Sequence, residues 1–173
     1  MKEPSTVQEV KTLHEMCRSD PQKYLRIVDE WIKQNPSNHR AYFDRHFAWM
    51  RLGEPRRALA DMDKSLELNP DPLAYFSRAE VHKHLGEYGR ALEDFGRSEA
   101  MMPGEWEDLG FGLLQQADCH ARLGDEANAL ACCARLTDDF WTPGMSDAPA
   151  GDKVAVAEKL KVIAAEARRG HRR

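Results

Sequence analysis

Three cysteines and a histidine lie near enough in sequence to suggest a metal site. Cys119 and His120 precede a glycine, and Cys132 and Cys133 follow it, so the four would meet if the chain reversed there. Thiolates and imidazoles are ligands that Zn²⁺ prefers. Adjacent residues on one helix point about 100° apart, which disfavours Cys132 and Cys133 as joint ligands. No C-x-x-C pair occurs, so we predict reduced thiols packed among apolar neighbours and no metal.

The commoner catalytic signatures are absent from the sequence. It contains no glycine-rich phosphate loop, no nucleophile elbow and no H-E-x-x-H spacing. His82 and His120 occupy the same periodic position as Trp49, on a face expected to pack, which is typical of core histidines rather than ligands. The sequence therefore predicts no catalytic residue and no cofactor, and we expect that the protein is not an enzyme.

A charged pair recurs with constant spacing. Arg45 precedes Asp61 by 16 residues, and Arg78 precedes Asp94 by the same interval. At the corresponding positions of the next segment both charges are lost together, to Gln116 and Cys132. Replacing only the Arg or only the Asp would leave a buried charge without a partner, which would lower stability. Replacing both residues avoids this cost. The pattern predicts structural ion pairs across a helical hairpin, formed by Arg45, Asp61, Arg78 and Asp94.

These residues recur because the sequence repeats. The segment that begins at Ala41 aligns without gaps with the one that begins at Ala74, sharing A-Y-F, an arginine, L-G-E and R-A-L. Gly53 and Gly86, which follow periodic runs, are 33 residues apart. A glycine there ends a helix in the left-handed conformation, so each period predicts two antiparallel helices. Four aspartates lie where helix N-caps are expected: Asp20, Asp71, Asp125 and Asp152.

The repeats and the segments around them predict a domain organisation. Residues 1–141 are expected to form one helical repeat domain, with hairpins at about 5–36, 39–70, 72–103 and 105–140. Residues 142–151 hold two prolines and two glycines and are expected to form a linker. Residues 152–169 have the periodicity of an amphipathic helix, which would cap the last repeat. Residues 170–173 are interpreted as a solvated basic tail rather than an anion-binding arm.

Composition narrows the partners and the location. The net charge of -4 and the lack of a basic face argue against nucleic acid as a partner. No segment approaches the ~18 apolar residues of a membrane span, and the start lacks the apolar stretch of a signal peptide. We therefore expect a cytoplasmic location and no membrane partner.

At these positions the chain resembles the tetratricopeptide repeat family, whose pattern surrounds a central glycine and ends in a proline. One repeat matches at Gly53, Ala58 and Pro70, and the next almost completely, at Tyr75, Ala79, Gly86, Tyr88, Ala91, Phe95 and Pro103. The third keeps Leu113, Ala117, Gly124 and Ala129, but has Trp141 where the proline would fall. The resemblance implies an all-α solenoid: a right-handed superhelical array of antiparallel helix hairpins with a C-terminal capping helix.

In that family the first helices of successive repeats line a concave groove that holds peptides. Transferring this register predicts a partner-binding groove of Arg40, Phe43, Phe47, Arg51, Phe76, Glu80, Lys83, His84, Phe111, Leu114 and Arg122. Phenylalanines on a surface mark an interaction site, and the nearby cations favour an apolar segment that carries acidic residues. Two alternatives stay open: the rings pack between repeats, or the terminal helix fills the groove.

The resemblance implies a protein-interaction module that acts as an adaptor or scaffold. The alternative is a dedicated secretion-type chaperone or toxin-neutralising binding protein, since bacterial secretion chaperones of this repeat number have similar length. An enzyme on this scaffold is the third hypothesis. Some family members hold the C-terminal carboxylate of heat-shock chaperones with Lys and Asn, but here those positions hold Phe43, Phe47, Ser77, Phe111 and Gln115, which argues against that function.

Overall fold

A computed structural model describes residues 7–102, 110–142 and 150–170. The expected basic tail after residue 170, the interior of the expected linker and Pro103 lie outside these residues. Over the described ranges the chain is all-α, with nine helices and one pair of two-residue strands. In chain order they are α1 (Val7–Ser19), α2 (Pro21–Gln34), α3 (His39–Arg51), α4 (Pro55–Leu68), α5 (Pro72–His84), α6 (Tyr88–Met101), α7 (Phe111–Arg122), α8 (Glu126–Ala134), β1 (Trp141–Thr142), β2 (Gly151–Asp152) and α9 (Lys153–Gly170).

The chain divides into two compact units, Met1–Leu85 and Gly86–Arg173. The N-terminal unit contains α1 to α5, and the C-terminal unit contains α6 to α9 with the two strands. The boundary falls at Gly86, the glycine between the two helices of the predicted hairpin 72–103.

The helices begin where side-chain oxygens satisfy free backbone N–H groups. Asp71 accepts hydrogen bonds from the backbone N–H groups of Leu73 and Ala74, at 2.9 and 3.2 Å. The other three aspartates predicted as caps do the same, with N···O distances from 2.8 to 3.1 Å. Proline occupies the first helical position of α2, α4 and α5, where no N–H is needed.

Glycine is required at three helix ends by conformation. Gly53, Gly86 and Gly124 have φ values of 73°, 76° and 79°, in the left-handed region where other residues are strained. A Cβ at Gly53 or Gly86 would meet no atom within 4 Å. Backbone conformation, not space, therefore restricts those two positions to glycine.

In the N-terminal unit each helix packs against the next in sequence. The core between α1, α2 and α3 consists of Leu13, Cys17, Tyr24, Leu25, Val28, Trp31, Ala41 and Ala48. Ala58 and Met62 of α4 are fully buried. Alanines at Ala41, Ala48 and Ala58 allow close approach of helix backbones, which explains how consecutive hairpins stack.

Arg45 links three helices of the N-terminal unit. Its guanidinium donates to both carboxylate oxygens of Asp61 on α4, at 2.9 and 2.6 Å, and to Asp29 on α2 at 2.7 Å. Asp61 is buried. These bonds, first of all those to Asp61, raise the pKa of Arg45. The sequence predicted the partner within the hairpin, and the structure adds the partner on the preceding helix.

Arg78 makes a similar link from α5 back to α4. Its guanidinium donates to Asp63 at 2.7 Å, and it lies 5.7 Å from the centre of the Tyr75 ring. The Arg78–Asp94 pair stays a prediction. Both α3 and α5 are therefore tied by an arginine to the helix that precedes them.

In the C-terminal unit α7 is enclosed. It packs against α6, α8 and α9, and residues 112–119 are all buried. The apolar core around it contains Leu113, Leu114, Ala117, Ala121, Ala129, Cys133, Leu136, Val156, Leu160 and Ala164. Gln116, at the position of Arg45 and Arg78, donates to Glu99 of α6 at 2.9 Å. A neutral donor thus keeps a link to the preceding helix.

Helix α9 covers the last hairpin. Lys153 at its start donates to the Leu136 carbonyl at 2.6 Å, and Arg168 near its end donates to Gly124 and Glu126 at 2.9 and 2.8 Å. It therefore runs antiparallel to α8. Before it, Trp141–Thr142 pairs antiparallel with Gly151–Asp152, which joins the two ends of the expected linker.

Replacing Arg45 by methionine is expected to lower the free energy of unfolding by about 3 kcal/mol, because buried Asp61 would lose its cationic partner. Methionine retains most of the side-chain volume, so loss of packing contributes little. Equilibrium urea unfolding measures the change. The matched control is Lys33→Met, which removes an exposed i,i+3 pair with Glu30 and should leave the urea midpoint nearly unchanged. Equal midpoints for the two variants would contradict a structural role for the Arg45 pair.

Candidate functional site

Four of the predicted groove residues form one stripe along α3. Arg40 and Arg51 are exposed, Phe43 is half-buried, and the side chain of Phe47 is 40% exposed. The rings of Phe43 and Phe47 meet edge to face, with centroids 5.6 Å apart. We call Arg40, Phe43, Phe47 and Arg51 the α3 face. It is an aromatic pair open to solvent, with an arginine three residues before it and another four residues after it.

A buried histidine supports the aromatic pair from within the helix. The centroid of the His46 ring is 3.9 Å from that of Phe47 and 5.2 Å from that of Phe43. Its Nδ1 contacts the Phe43 carbonyl oxygen, so Nδ1–H is the donor. Burial lowers the pKa of His46 from 6.5 to about 4, although the bond to Phe43 opposes this. His46 is therefore neutral at physiological pH and packs as an aromatic ring.

A shallow pocket of about 120 Å³ adjoins the α3 face at the N-terminal ends of α3 and α5. Its lining includes the predicted residues Arg40 and Phe43, and otherwise consists of His39, Ser65, Asp71, Leu73 and Ala74. Sequence reasoning missed Leu73, whose side chain is 59% exposed. The signal was available, because Leu73 lies one 33-residue period after Arg40.

The predicted groove residues of α5 differ in accessibility. Phe76 and Glu80 are half-buried and His84 is exposed. Lys83, however, is only 6% exposed, so its expected position on an open groove wall is corrected. Lysine side chains are rarely buried to this extent in proteins. We therefore assign Lys83 to the packed interior and not to a surface that a partner could contact.

The third repeat does not offer the surface expected of it. Leu114 is 0% exposed and belongs to the core that α9 shares with α7 and α8. The physical reason is that the terminal helix packs on α7 as well as on α8. Arg122 is half-buried, donates to Asp118 at 2.8 Å and lies 5.6 Å from the centre of the Tyr88 ring. The side chain of Phe111 lies outside the part of the molecule that the structure describes.

The cysteine and histidine group shows no metal-site geometry. Among the described residues, no three of the His, Cys, Asp and Glu side chains are placed to hold a metal ion. All four cysteines are free thiols. Burial raises the pKa of Cys132 and raises that of Cys133 to about 11, which disfavours the thiolate that binds metals. His120 instead lies 3.4 Å from the carboxylate of Asp125.

None of the helices over the described ranges has the length and apolar character needed to cross a membrane.

Comparison with known proteins supports the fold. No family model matches the chain. Among solved structures, MamA 41-end from Desulfovibrio magneticus RS-1 is 19% identical, with 72% of each chain covered and a TM-score of 0.63. YrrB, described as a TPR protein with an unusual peptide-binding site, is 18% identical, with 93% of this chain and 80% of that chain covered and a TM-score of 0.65. A thermophilic TPR protein in Thermus thermophilus, TTC0263, is 17% identical, with coverages of 95% and 82% and a TM-score of 0.59.

These likenesses, at identities below 20%, concern the fold. Together with the repeated hairpins, they show that the chain has the all-α repeat fold of tetratricopeptide proteins.

Protonation of His46 is expected to destabilise the protein in mildly acidic solution. Because the folded pKa is about 4 and the unfolded value is 6.5, the unfolded chain binds more protons between those two pH values. The free energy of unfolding should therefore fall by roughly 3 kcal/mol as the pH drops from 7 to 4.

Urea unfolding of the wild type and of His46→Gln, at pH values from 7 to 4, isolates this contribution from that of the carboxylates. The stability of the wild type relative to the variant should decrease as the pH falls. A difference that does not change with pH would show that His46 does not titrate in this way.

Proposed function

We propose that this chain, which has the fold of tetratricopeptide repeat proteins, is a protein-interaction module that binds an apolar, acidic segment of another protein on the α3 face. The observation that carries the proposal is the ring contact between exposed Phe47 and half-buried Phe43, which lie between the exposed residues Arg40 and Arg51. Aromatic side chains and arginine are the residues most enriched at the energetic centres of protein interfaces. The proposed role is that of an adaptor or scaffold, which needs no chemistry of its own.

The aromatic pair supplies apolar surface for binding. Phe47 is 40% exposed and Phe43 is less exposed, so a partner could cover at most about 150 Å² on the two residues together. Burial of that area would contribute roughly 4 kcal/mol before the costs of association. Micromolar binding requires about 8 kcal/mol net. Further contacts must therefore contribute, and neighbouring residues of the N-terminal unit are available for them.

The charges beside the rings determine the preferred partner. Of the three arginines on α3, Arg45 is engaged with Asp61 and Asp29. Arg40 and Arg51 are exposed, and neither forms a salt bridge within the described part of the chain. Acidic residues on either side of an apolar stretch would complement them, and would increase the association rate at low salt.

A solved protein of similar fold supports peptide binding as the mode of interaction. YrrB is described as having an unusual peptide-binding site. We extend peptide binding to this chain because the α3 face is open, whereas α7 of the C-terminal unit is enclosed. The partner segment is expected to contact the N-terminal unit first.

Selection of a phage-displayed library of random dodecapeptides on the full chain tests the proposal. We expect enrichment of peptides in which Leu, Ile, Met or Phe stands beside Asp or Glu. Synthetic versions should bind in fluorescence anisotropy with Kd values in the micromolar range, on the order of 1 to 100 µM. Phe47→Ala should weaken this binding about tenfold, since it removes the exposed ring.

The matched control is Val162→Ala, which trims another exposed apolar side chain, on α9, that is 57% exposed. It should leave the affinity unchanged, and circular dichroism melting should show that both variants fold. Selected peptides that bind Phe47→Ala as tightly as the wild type would exclude the α3 face. A selection that enriches no peptide at all would count against the interaction module itself.

A further inference from the structure

Two polar side chains that line the pocket beside the α3 face form hydrogen bonds within the protein. Ser65 of α4 donates its hydroxyl to the backbone carbonyl of His39 at 2.9 Å and is buried. Asp71 accepts two bonds from the first turn of α5 through one carboxylate oxygen. The N–H groups of Leu73 and Ala74 at this helix start are therefore used within the protein.

Three of the residues that line the pocket are apolar. Phe43 contributes ring surface from α3, and Leu73 and Ala74 contribute aliphatic surface from α5. Leu73 is among the most exposed large apolar side chains of the described chain, although it sits on a helix start where polar residues are common. An exposed leucine opposite a half-exposed phenylalanine makes a two-sided apolar cleft.

The size of the pocket discriminates between side chains. Its volume is about 120 Å³. A cavity of about 150 Å³ accommodates benzene, so this pocket has room for one side chain of about leucine size and less room for the larger indole of tryptophan. Leucine, isoleucine and methionine have side chains of the appropriate size.

The charged groups around the pocket indicate what flanks the aliphatic group. His39, Arg40 and Asp71 are the titratable residues that line it. The negative charge of Asp71 is directed to the N-terminus of α5, where it is stabilised by the helix dipole. Arg40 is exposed at the rim. An acidic residue next to the aliphatic one would therefore contact Arg40.

We propose that this pocket is the anchor site of the interaction surface, and that it holds one aliphatic side chain of the partner segment, with an adjacent carboxylate on Arg40. The inference rests on the proposed function, which it deepens by naming the anchor. It predicts a leucine-type specificity that the exposed rings of the α3 face alone would not impose.

A tripeptide, acetyl-Glu-Leu-Glu-amide, is the probe, with analogues in which Ala or Trp replaces Leu. Titration into the ¹⁵N-labelled full chain, at millimolar peptide, is followed by NMR. The leucine peptide should shift the backbone amides of Phe43, Leu73 and Ala74. The alanine analogue should bind about tenfold more weakly because it leaves most of the pocket unfilled, and the tryptophan analogue should also be weaker because its ring does not enter.

Two variants separate the pocket from the rest of the surface. Leu73→Ala removes an exposed wall without disturbing the core, and should weaken the leucine peptide about fivefold to tenfold. Val162→Ala again serves as the control and should have no effect. Together with the order of the three peptides, this result would support the anchor.

Other outcomes overturn the inference. Equal affinities for the leucine and alanine peptides, or an unchanged affinity in Leu73→Ala, would exclude the pocket while leaving the proposed function intact if Phe47→Ala still weakens the library-selected peptides. Absence of shifts at Phe43, Leu73 and Ala74 would likewise exclude the anchor. The proposed function itself falls if the library selection enriches no peptide, or if the selected peptides bind Phe47→Ala as tightly as the wild type, so the two failures are distinguishable.

Discussion

The ion pairs of Arg45 with Asp61 and Asp29 are the interaction on which the packing of the N-terminal unit depends. One guanidinium satisfies carboxylates on the helix before and the helix after α3, and the bidentate geometry fixes the rotation of α3 about its axis. Phe43 and Phe47 lie two residues to either side of Arg45. Residues two apart on a helix point about 160° from one another, so a side chain committed to the interior places both rings on the opposite side. The placement of both rings on one side of α3 is thus a geometric consequence of the ion pair.

The C-terminal unit solves the same packing problem without the arginine. Helix α7 is buried along residues 112–119, because α6, α8 and α9 all pack on it. A guanidinium in such surroundings would need compensation by carboxylates, whereas the amide of Gln116 is neutral and needs no counter-charge, and one of its N–H groups donates to Glu99. The repeat in which α7 is enclosed is therefore also the one in which Gln116 and Cys132 replace the Arg and Asp of the earlier repeats. The two units share one repeat pattern, but α3 of the N-terminal unit presents a surface to solvent, whereas α7 of the C-terminal unit is covered.

The buried His46 ring supports the aromatic pair of Phe43 and Phe47 from the interior side of α3. The equivalent residues one and two repeats later are Ala79 and Ala117, both fully buried. Where those repeats have a methyl group, α3 carries an imidazole that stacks against Phe47 and bonds to the Phe43 backbone. The ring is kept neutral by burial, and it fills the space behind the aromatic pair. A rigid aromatic surface loses less side-chain entropy when a partner binds, which favours affinity.

Sequence periodicity, the marker glycines and the capping aspartates determined the helical hairpins and most of their ends, because these signals are local: a cap or a left-handed glycine acts within a few residues. The Arg45–Asp61 spacing and the α3 stripe also followed from one repeat period. The two-residue strands carry no periodic signal and were missed. Tertiary structure alone decided which stripe positions reach solvent: Lys83 and Leu114 are buried and Leu73 is exposed, because exposure depends on neighbouring helices distant in sequence. A residue's position on a helix face can be read from the chain, but whether another helix covers that face depends on the packing of the whole unit.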